Sequence, residues 1–378
     1  QGDPYDKFII VSFSNATLVL SIGDTVEEVT DTGFLASAPT IEVMLLADNA
    51  LIQVHSNGVR HIRPDLRTSE WKTPGKKQIE KASANSRQLA ISLAGGEIIY
   101  FELDAAGQLL EMATQDLGEE VSCLDVGEIP AGRTRSPFLA VGCWNDTVRV
   151  LSLDQKDLLA ARATMQLSHR PESVCQIEME REKDMTGQSQ TGSLPLLYMN
   201  VGLVSGVLQR VAVDATAGSL SDSRQRFLGP KAVKLFRVMI HGRRSLLALS
   251  SRAWLMYNYQ GRYMQAPVSY DSLEYASNFA SETCPEGVVA IAGNTLRIFT
   301  VNDLGATFNQ TSIPLRYTPR KMTRVPDTNH LVILETDHNE YNEKERSQLV
   351  ATMKSSEQET NGEMEITDNN NNNNNTSE

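Results

Sequence analysis

Short apolar segments occur in pairs along the chain, and a few polar or small residues separate the two members of each pair. In residues 137–154, for example, an apolar run leads to Asn145-Asp146 and then to alternating positions from Val148 onward. Such alternation predicts β-strands, and two strands joined by a turn of Asn, Asp, Gly or Ser predict an antiparallel hairpin. The pattern occurs seven times, in residues 8–22, 50–62, 87–104, 137–154, 196–214, 245–259 and 287–301.

The seven predicted hairpins follow one another at similar intervals. Their turns are centred on Asn15, Asn57, Gly95, Asn145, Ser205, Ser251 and Asn294. Successive turns are 42, 38, 50, 60, 46 and 43 residues apart, which leaves room for one or two further strands per unit. The segments 40–46, 120–126 and 232–240 have the composition of such strands. Four short strands that recur about every 40–45 residues are typical of a β-propeller.

We therefore predict an all-β fold, a seven-bladed β-propeller with four-stranded antiparallel blades. One four-stranded sheet cannot bury both of its faces, whereas seven sheets around an axis bury the faces of one another and leave only short edges. The first strand of each hairpin is largely apolar and is expected to be the inner, fully buried strand. The apolar segment 330–336 has no hairpin of its own. We expect it either to complete a blade with the N-terminal segment or to begin a further element.

The composition changes after His338. We predict that the propeller covers residues 1–338 and that 339–378 is an acidic, low-complexity tail. Within the tail, 339–359 is expected to form a short charged helix, and the Asn-rich stretch 368–378 is expected to be disordered. The net charge of the chain is −12, of which residues 335–378 carry −8 (11 acidic and 3 basic side chains), so the rest carries only −4. This balance makes polyanion binding by the whole surface improbable but leaves room for a local basic patch.

The four cysteines are scattered and form no CxxC motif: Cys123, Cys143, Cys175 and Cys284. Each lies in or beside an apolar, strand-like run, so we expect buried free thiols in a reducing compartment. No run of 18 apolar residues occurs, and no membrane span is predicted.

The sequence contains no convincing catalytic motif. Residues 202–206 place Ser205 beside glycines without the G-x-S-x-G spacing, and 73–77 lacks the upstream glycine of a phosphate loop. His55 and His61 flank a predicted turn, but no third metal ligand lies near them in sequence. We therefore predict that the protein is not an enzyme and has no catalytic, cofactor-binding or metal-binding residues.

Basic residues concentrate in a few predicted loops. They are Arg67, Trp71 (an interleaved aromatic), Lys72, Lys76 and Lys77 in the first loop region, Arg133 and Arg135 in a second, and Arg316, Arg320 and Lys321 in a third. Such loops can present cations to phosphate while Trp71 stacks on a base. The alternative, an ordinary charged loop with Trp71 packed between blades, is the interpretation we favour. For 316–321 a protein contact is favoured over RNA.

Several longer segments resemble the splicing factor 3b subunit 3 family, also called the spliceosome-associated protein 130 family. They are residues 4–35, 70–77, 233–238, 250–262, 274–291, 294–321 and 332–341, which occur in the family order. The wider family includes DNA-damage-binding protein 1 and the large cleavage and polyadenylation specificity factor subunit, which share the architecture but not these segments.

The resemblance implies a fragment of a longer multi-propeller chain, here the middle propeller of three. It implies a non-catalytic, nuclear protein-interaction scaffold of the splicing factor 3b complex in the U2 small nuclear ribonucleoprotein, acting in pre-mRNA splicing and branch-site selection. The implied partners are the HEAT-repeat large subunit, the small subunits of that complex and the other propellers of the parent chain. Nucleic-acid contact is expected to be indirect or weak, with no membrane partner. The alternative is a propeller adaptor of a ubiquitin-ligase or 3′-end-processing complex.

Overall fold

The computed structural model describes residues 5–23, 25–179, 195–259, 262–270, 272–302, 304, 313–326, 328, 330–337 and 341–354. The chain divides into two compact units, residues 1–306 and 307–378. The expected loop at 181–193 and the Asn-rich stretch lie outside the described residues. The predicted domain boundary near residue 338 stays a prediction.

The first unit contains seven antiparallel sheets in chain order. Their strands are β1 (Phe8–Ser12), β2 (Thr17–Ile22), β3 (Val26–Glu28); β4 (Thr40–Leu45), β5 (Leu51–His55), β6 (Gly58–Ile62), β7 (Thr68–Lys72); β8 (Ile79–Ala84), β9 (Gln88–Leu93), β10 (Glu97–Leu103), β11 (Leu109–Asp116); β12 (Val121–Val126), β13 (Phe138–Cys143), β14 (Thr147–Ser152), β15 (Ala161–Gln166); β16 (Pro171–Met179), β17 (Leu196–Leu203), β18 (Val207–Val213), β19 (Leu220–Phe227); β20 (Lys234–Ile240), β21 (Arg243–Leu249), β22 (Ala253–Tyr259), β23 (Arg262–Pro267); β24 (Tyr275–Phe279), β25 (Gly287–Ala292) and β26 (Thr295–Phe299). A short 3₁₀ turn covers Pro74–Lys76.

All seven predicted hairpins are present, so that prediction is confirmed. In the β13–β14 hairpin the register runs from Phe138 opposite Ser152 to Cys143 opposite Thr147. Asp146 in its turn has a φ of 58°, a conformation that Asp and Asn tolerate better than other residues with side chains.

The strand that precedes each hairpin, here called the first strand, lies at the axis of the ring. Consecutive first strands contact each other from β4 through β8, β12, β16 and β20 to β24. The expectation that the hairpin's own first strand is innermost is therefore wrong. The hairpin strands β9 and β13 are indeed fully buried, but they lie one position further out. They are buried because each has a paired strand on both sides and a neighbouring sheet against both faces.

Alternate residues of one strand pack against different neighbouring sheets. Ile91 and Ile99 of the third sheet belong to a core cluster shared with the second sheet, whereas Ala90 and Ile98 belong to a cluster shared with the fourth. The period-2 side-chain alternation of a strand produces this division. Five such clusters connect the second sheet through to the seventh.

One main-chain hydrogen bond and one to a side chain join the ends of the first and seventh sheets. The Asp6 N–H donates to the Ala280 carbonyl at 2.8 Å, and the Ala280 N–H donates to Asp6 Oδ2 at 2.8 Å. The first unit is thus a seven-bladed β-propeller, as predicted. Five blades have four strands, and the first and seventh have three within the described residues.

Among its described residues, the second unit contains the hairpin of β27 (Thr318–Arg324) and β28 (Leu331–Thr336) and one helix, α1, over 343–354. The segment 330–336 therefore pairs with β27. The predicted charged helix in the tail is present over these 12 residues.

Candidate interaction surfaces

The propeller has two faces, and two of the three predicted basic loop regions, 67–77 and 133–135, belong to it and are divided between them. The turn face carries the turns inside the hairpins, such as Ser56-Asn57. The opposite face carries the connections from first to second and from third to fourth strands. This follows because the strands of each sheet alternate in direction. The candidate residues therefore do not form one patch.

Trp71 lies between blades rather than in solvent. Its ring meets that of Phe101 edge to face, with centroids 5.2 Å apart at 83°. Its Nε1–H donates to Glu111 Oε2 at 3.2 Å. Trp71 is half-buried and packs against the core cluster of the second and third sheets. The interpretation of Trp71 as an inter-blade packing residue agrees with these contacts.

Lys72, Lys76 and Lys77 lie on the turn face and are exposed. Thr73 N–H donates to the Asn57 carbonyl and thereby places this loop beside a hairpin turn. Lys77 Nζ is 2.8 Å from Glu97 Oε2, and this carboxylate raises the pKa of the lysine.

Arg67, Arg133 and Arg135 lie on the opposite face. Arg67 is exposed and pairs with Asp65, with Nη2 2.5 Å from Oδ2. Arg135 pairs with Glu102 at 2.9 Å, and Glu102 also accepts a hydrogen bond from the Tyr100 hydroxyl. Arg133 lies in the exposed part of the loop between β12 and β13.

Arg316, Arg320 and Lys321 belong to the second unit. The Arg316 guanidinium lies 5.4 Å from the Tyr317 ring centroid, and Arg320 Nε donates to Thr336 Oγ1 at 2.7 Å. Lys321 is exposed at a bulge in β27.

An ion pair at the propeller axis, in which Asp125 is buried and Arg237 is partly exposed, ties three consecutive blades together. Arg237 of β20 donates from Nη2 to Asp125 Oδ1 at 2.6 Å and to Oδ2 at 2.5 Å. Gln176 of the intervening β16 donates its N–H to Asp125 and accepts from Arg237 Nε at 3.0 Å. The side chains of Asp125 and Arg237 and the main chain of Gln176 thus satisfy polar groups that the ring removes from water.

Two carboxyl groups near this arginine titrate abnormally. Burial raises the pKa of Asp125, and Arg237 opposes that rise. Partial burial also raises the pKa of Glu42, on β4, to about 8; Arg237 opposes the rise and Asp125 adds to it. Glu42 is consequently largely protonated near neutral pH.

A cavity of about 270 Å³ opens between the fifth and sixth blades. Its polar lining is Glu178, Arg243, Arg244 and Asn258. Arg244 bonds both Glu178, at 3.1 Å, and Glu128, at 2.8 Å, and Arg243 donates to the Asn258 carbonyl at 2.8 Å.

Sequence reasoning missed two features. Asp125 and Arg237 stand inside otherwise apolar strand segments, and a charged residue in such a position was the available signal. Trp144 is the second: it is 51% exposed in the β13–β14 turn, and the Arg170 guanidinium lies 4.1 Å from its ring centroid.

The described residues contain no group of three or more His, Cys, Asp or Glu side chains that could hold a metal ion. Cross-strand register pairs His61 with Ile52 and His55 with Gly58, so the two histidines do not face each other. Within the same residues, none of the helices has the length and apolar character needed to cross a membrane.

The sequence model of the family described as RSE1/DDB1/CPSF1 second beta-propeller matches residues 1–301. The chain belongs to this family of propeller domains. It is similar to "Splicing factor 3B subunit 3" of Danio rerio, with 50% identity over 364 residues, which cover 96% of this chain and 30% of that protein.

Two further relatives are similar over nearly the whole chain. "Spliceosome-associated protein 130 A" of Arabidopsis thaliana is 49% identical over 91% of this chain and 28% of its own length. "Pre-mRNA-splicing factor rse1" of Emericella nidulans is 46% identical over 94% of this chain and 29% of its own length. The chain therefore spans less than a third of these relatives. The family resemblance seen in the sequence is confirmed.

Proposed function

We propose that this propeller is a non-catalytic protein-interaction scaffold that acts in pre-mRNA splicing, within the splicing factor 3b complex of the U2 small nuclear ribonucleoprotein. The observation that carries the proposal is the 50% identity, over 96% of the chain, to a relative named splicing factor 3B subunit 3. Its site of action is the nucleus, and its contribution is to branch-site selection.

The architecture supports a scaffold. Five inter-blade core clusters and the Asp125–Arg237 tie hold the first strands rigidly, while the connecting loops on both faces stay available for contacts. The partners we propose are the HEAT-repeat large subunit, the small subunits of the same complex and other propellers of the parent chain. Nucleic acid is at most an indirect or weak partner.

Affinity purification of the full-length protein from nuclear extract tests this function. Recovery of splicing factor 3b subunits is expected. Recovery of a cullin or of 3′-end-processing factors in their place would contradict it. That result would favour a role like that of the DDB1 or CPSF1 members that the family description names.

Charge reversal separates the two faces. One variant carries Lys76→Glu and Lys77→Glu on the turn face, and another carries Arg67→Glu and Arg133→Glu, both exposed, on the opposite face. Lys156→Glu, an exposed lysine outside the candidate loops, is the control. We expect all three variants to fold, because surface substitutions cost little. If only one of the two double variants fails to recover a partner, the face that carries its substitutions is the binding face. If both variants recover every partner as the wild type does, these loops are not part of the binding surface.

A further inference from the structure

Within the described residues, the first blade has no strand at the axis. In the other six sheets a first strand precedes the hairpin and lines the ring, whereas the first sheet begins directly with the hairpin strand β1. The position beside β1, between the first strands β24 and β4, contains no strand of the described first unit. Here it is called the open strand position.

The hydrogen-bond pattern shows which groups face the open strand position. Phe13 N–H donates to the Ala16 carbonyl, and Ile22 N–H donates to the Lys7 carbonyl. Antiparallel pairing alternates, so Lys7, Ile9, Val11 and Phe13 are bonded toward β2. The main-chain N–H and C=O groups of Phe8 and Ile10 therefore point away from β2, into the open strand position.

Burial of the surrounding strands indicates a missing neighbour. Every residue of β12, which has a first strand on each side, is buried. No residue of β4 is buried, and three of the five residues of β24 are exposed. Phe8 and Tyr275 are 43% and 52% exposed, and none of the five core clusters includes a residue of β1, β2 or β3. Apolar surface and unpaired main chain together form a template for strand addition.

Both ends of β1 are already fixed. Asp6 is bonded to Ala280 after β24, and Ser12 Oγ accepts a hydrogen bond from Thr40 N–H of β4 at 2.9 Å. The width of the open strand position is therefore set before an occupant arrives, and an added strand would meet β1, β4 and β24 at once.

We infer that the open strand position binds an extended, largely apolar strand, antiparallel to β1, supplied by the segment that directly precedes residue 1 in the longer chain. The relatives are more than three times as long as the matched region, and the matching family model is described as the second propeller, so preceding chain is expected to be there to supply the strand. In each of the other six blades the first strand comes directly before its hairpin in sequence. The same connection in the first blade places the donor directly before β1.

Amide hydrogen exchange of the full-length protein tests the inference. The Ile10 amide is compared with that of Thr114, which by the same alternation points outward from β11, the outermost strand of its sheet. We expect Ile10 to exchange at least about 100-fold more slowly than Thr114. The isolated 378-residue chain is expected to lose this protection at Ile10.

Proline substitution supplies the second measurement. Ile10→Pro removes an outward N–H without touching the β1–β2 ladder, and Thr114→Pro is the matched control. Ile10→Pro is expected to lower the melting temperature of the full-length protein more than that of the isolated chain, and Thr114→Pro to lower both equally. Fast exchange at Ile10 in the full-length protein would overturn the inference. Slow exchange of the Ile10 amide in the isolated chain would also overturn it. Protection that does not depend on protein concentration would indicate a strand from within the chain, and protection that increases with concentration would indicate a second copy.

Discussion

Arg237 reaches across an entire blade to bond Asp125, 112 residues earlier in the chain, through one nitrogen that lies 2.6 and 2.5 Å from the two carboxylate oxygens. Asp125 is nearly inaccessible to water. The pair therefore links the fourth and sixth blades directly, and Gln176 adds the fifth.

Replacing Arg237 by Met is expected to destabilise the propeller by about 3 kcal/mol, because it leaves a buried carboxylate without its counter-charge. Urea unfolding followed by circular dichroism measures the change. Arg67→Met is the control, since Arg67 and Asp65 form an exposed pair, and it is expected to leave the midpoint unchanged. Equal effects of the two substitutions would contradict a structural role for the axial pair.

Glu42 makes the stability of the propeller depend on pH. Its pKa is raised to about 8 in the folded state from an ordinary value of 4.5. Between these values the folded chain holds a proton that the unfolded chain has released, so this contribution to stability falls as pH rises, by up to about 1.4 kcal/mol per pH unit.

Urea unfolding of the wild type and of Glu42→Gln across this pH range tests that dependence. The difference in unfolding free energy between them should move steadily in favour of the variant as pH increases. Glu80→Gln, at an exposed position on the neighbouring first strand, is the control. A difference that stays constant with pH for Glu42→Gln would disprove the assignment.

Trp71→Ala is expected to cost about 3 kcal/mol, because the indole fills space between the second and third blades and contacts Phe101. Trp144→Ala, on an exposed turn, is the matched control and should cost less than about 1 kcal/mol. Thermal melting distinguishes the two variants. A stable Trp71→Ala protein with weakened RNA binding would instead favour a nucleic-acid contact at Trp71.

Gly206 and Gly95 both occupy hairpin turns with positive φ, 84° and 97°. A Cβ on Gly206 would lie 1.6 Å from the Gly229 carbonyl oxygen, whereas one on Gly95 would meet nothing within 4 Å. Gly206→Ala should therefore be more destabilising than Gly95→Ala by about 2 kcal/mol or more, since only the former forces the main chain apart. Similar melting temperatures for the two variants would show that this close approach is not maintained in solution.

Thiol labelling with an aromatic disulfide reagent at about pH 8 is expected to modify one of the four cysteines quickly. Cys284 is half-buried, while the other three are buried. Burial raises the pKa of Cys123 and of Cys175 to about 12, which suppresses the reactive thiolate. The Cys284→Ser variant should lose the fast phase. A second fast thiol in that variant would contradict the buried positions.

The hairpins were predictable because local alternation defines them, and Asn57 and Asn145 mark their turns. The position of the first strands at the axis was harder to predict. These strands contain Glu42, Asp125 and Arg237, which lowers their apparent hydrophobicity, and only the assembled ring shows that Arg237 bonds Asp125 and acts on Glu42. The largely apolar β9 and β13 consequently looked like axial strands, although burial by flanking strands explains their composition equally well.

The positions of the basic loops also depend on the assembled fold and could not be predicted from local sequence. Sequence placed Arg67 and Lys77 in neighbouring loops, but nothing local shows that a strand of five residues carries the chain from one face to the other between them. The contact of Trp71 with Phe101 joins residues of different blades and depends on the ring geometry. Whether any of these side chains binds a partner stays a prediction.

The hydrogen bonds between Asp6 and Ala280 have a consequence for synthesis of the protein. Each sheet is made of consecutive strands and can form as soon as its own residues leave the ribosome, but the seam needs both ends of a 274-residue interval. At about 5–20 residues per second, that interval takes roughly 14–55 s to translate. During that time the blades form an arc that is not yet closed, and the first blade is exposed on the side that later contacts the seventh. A chaperone or a neighbouring nascent chain can bind the exposed surface in this period.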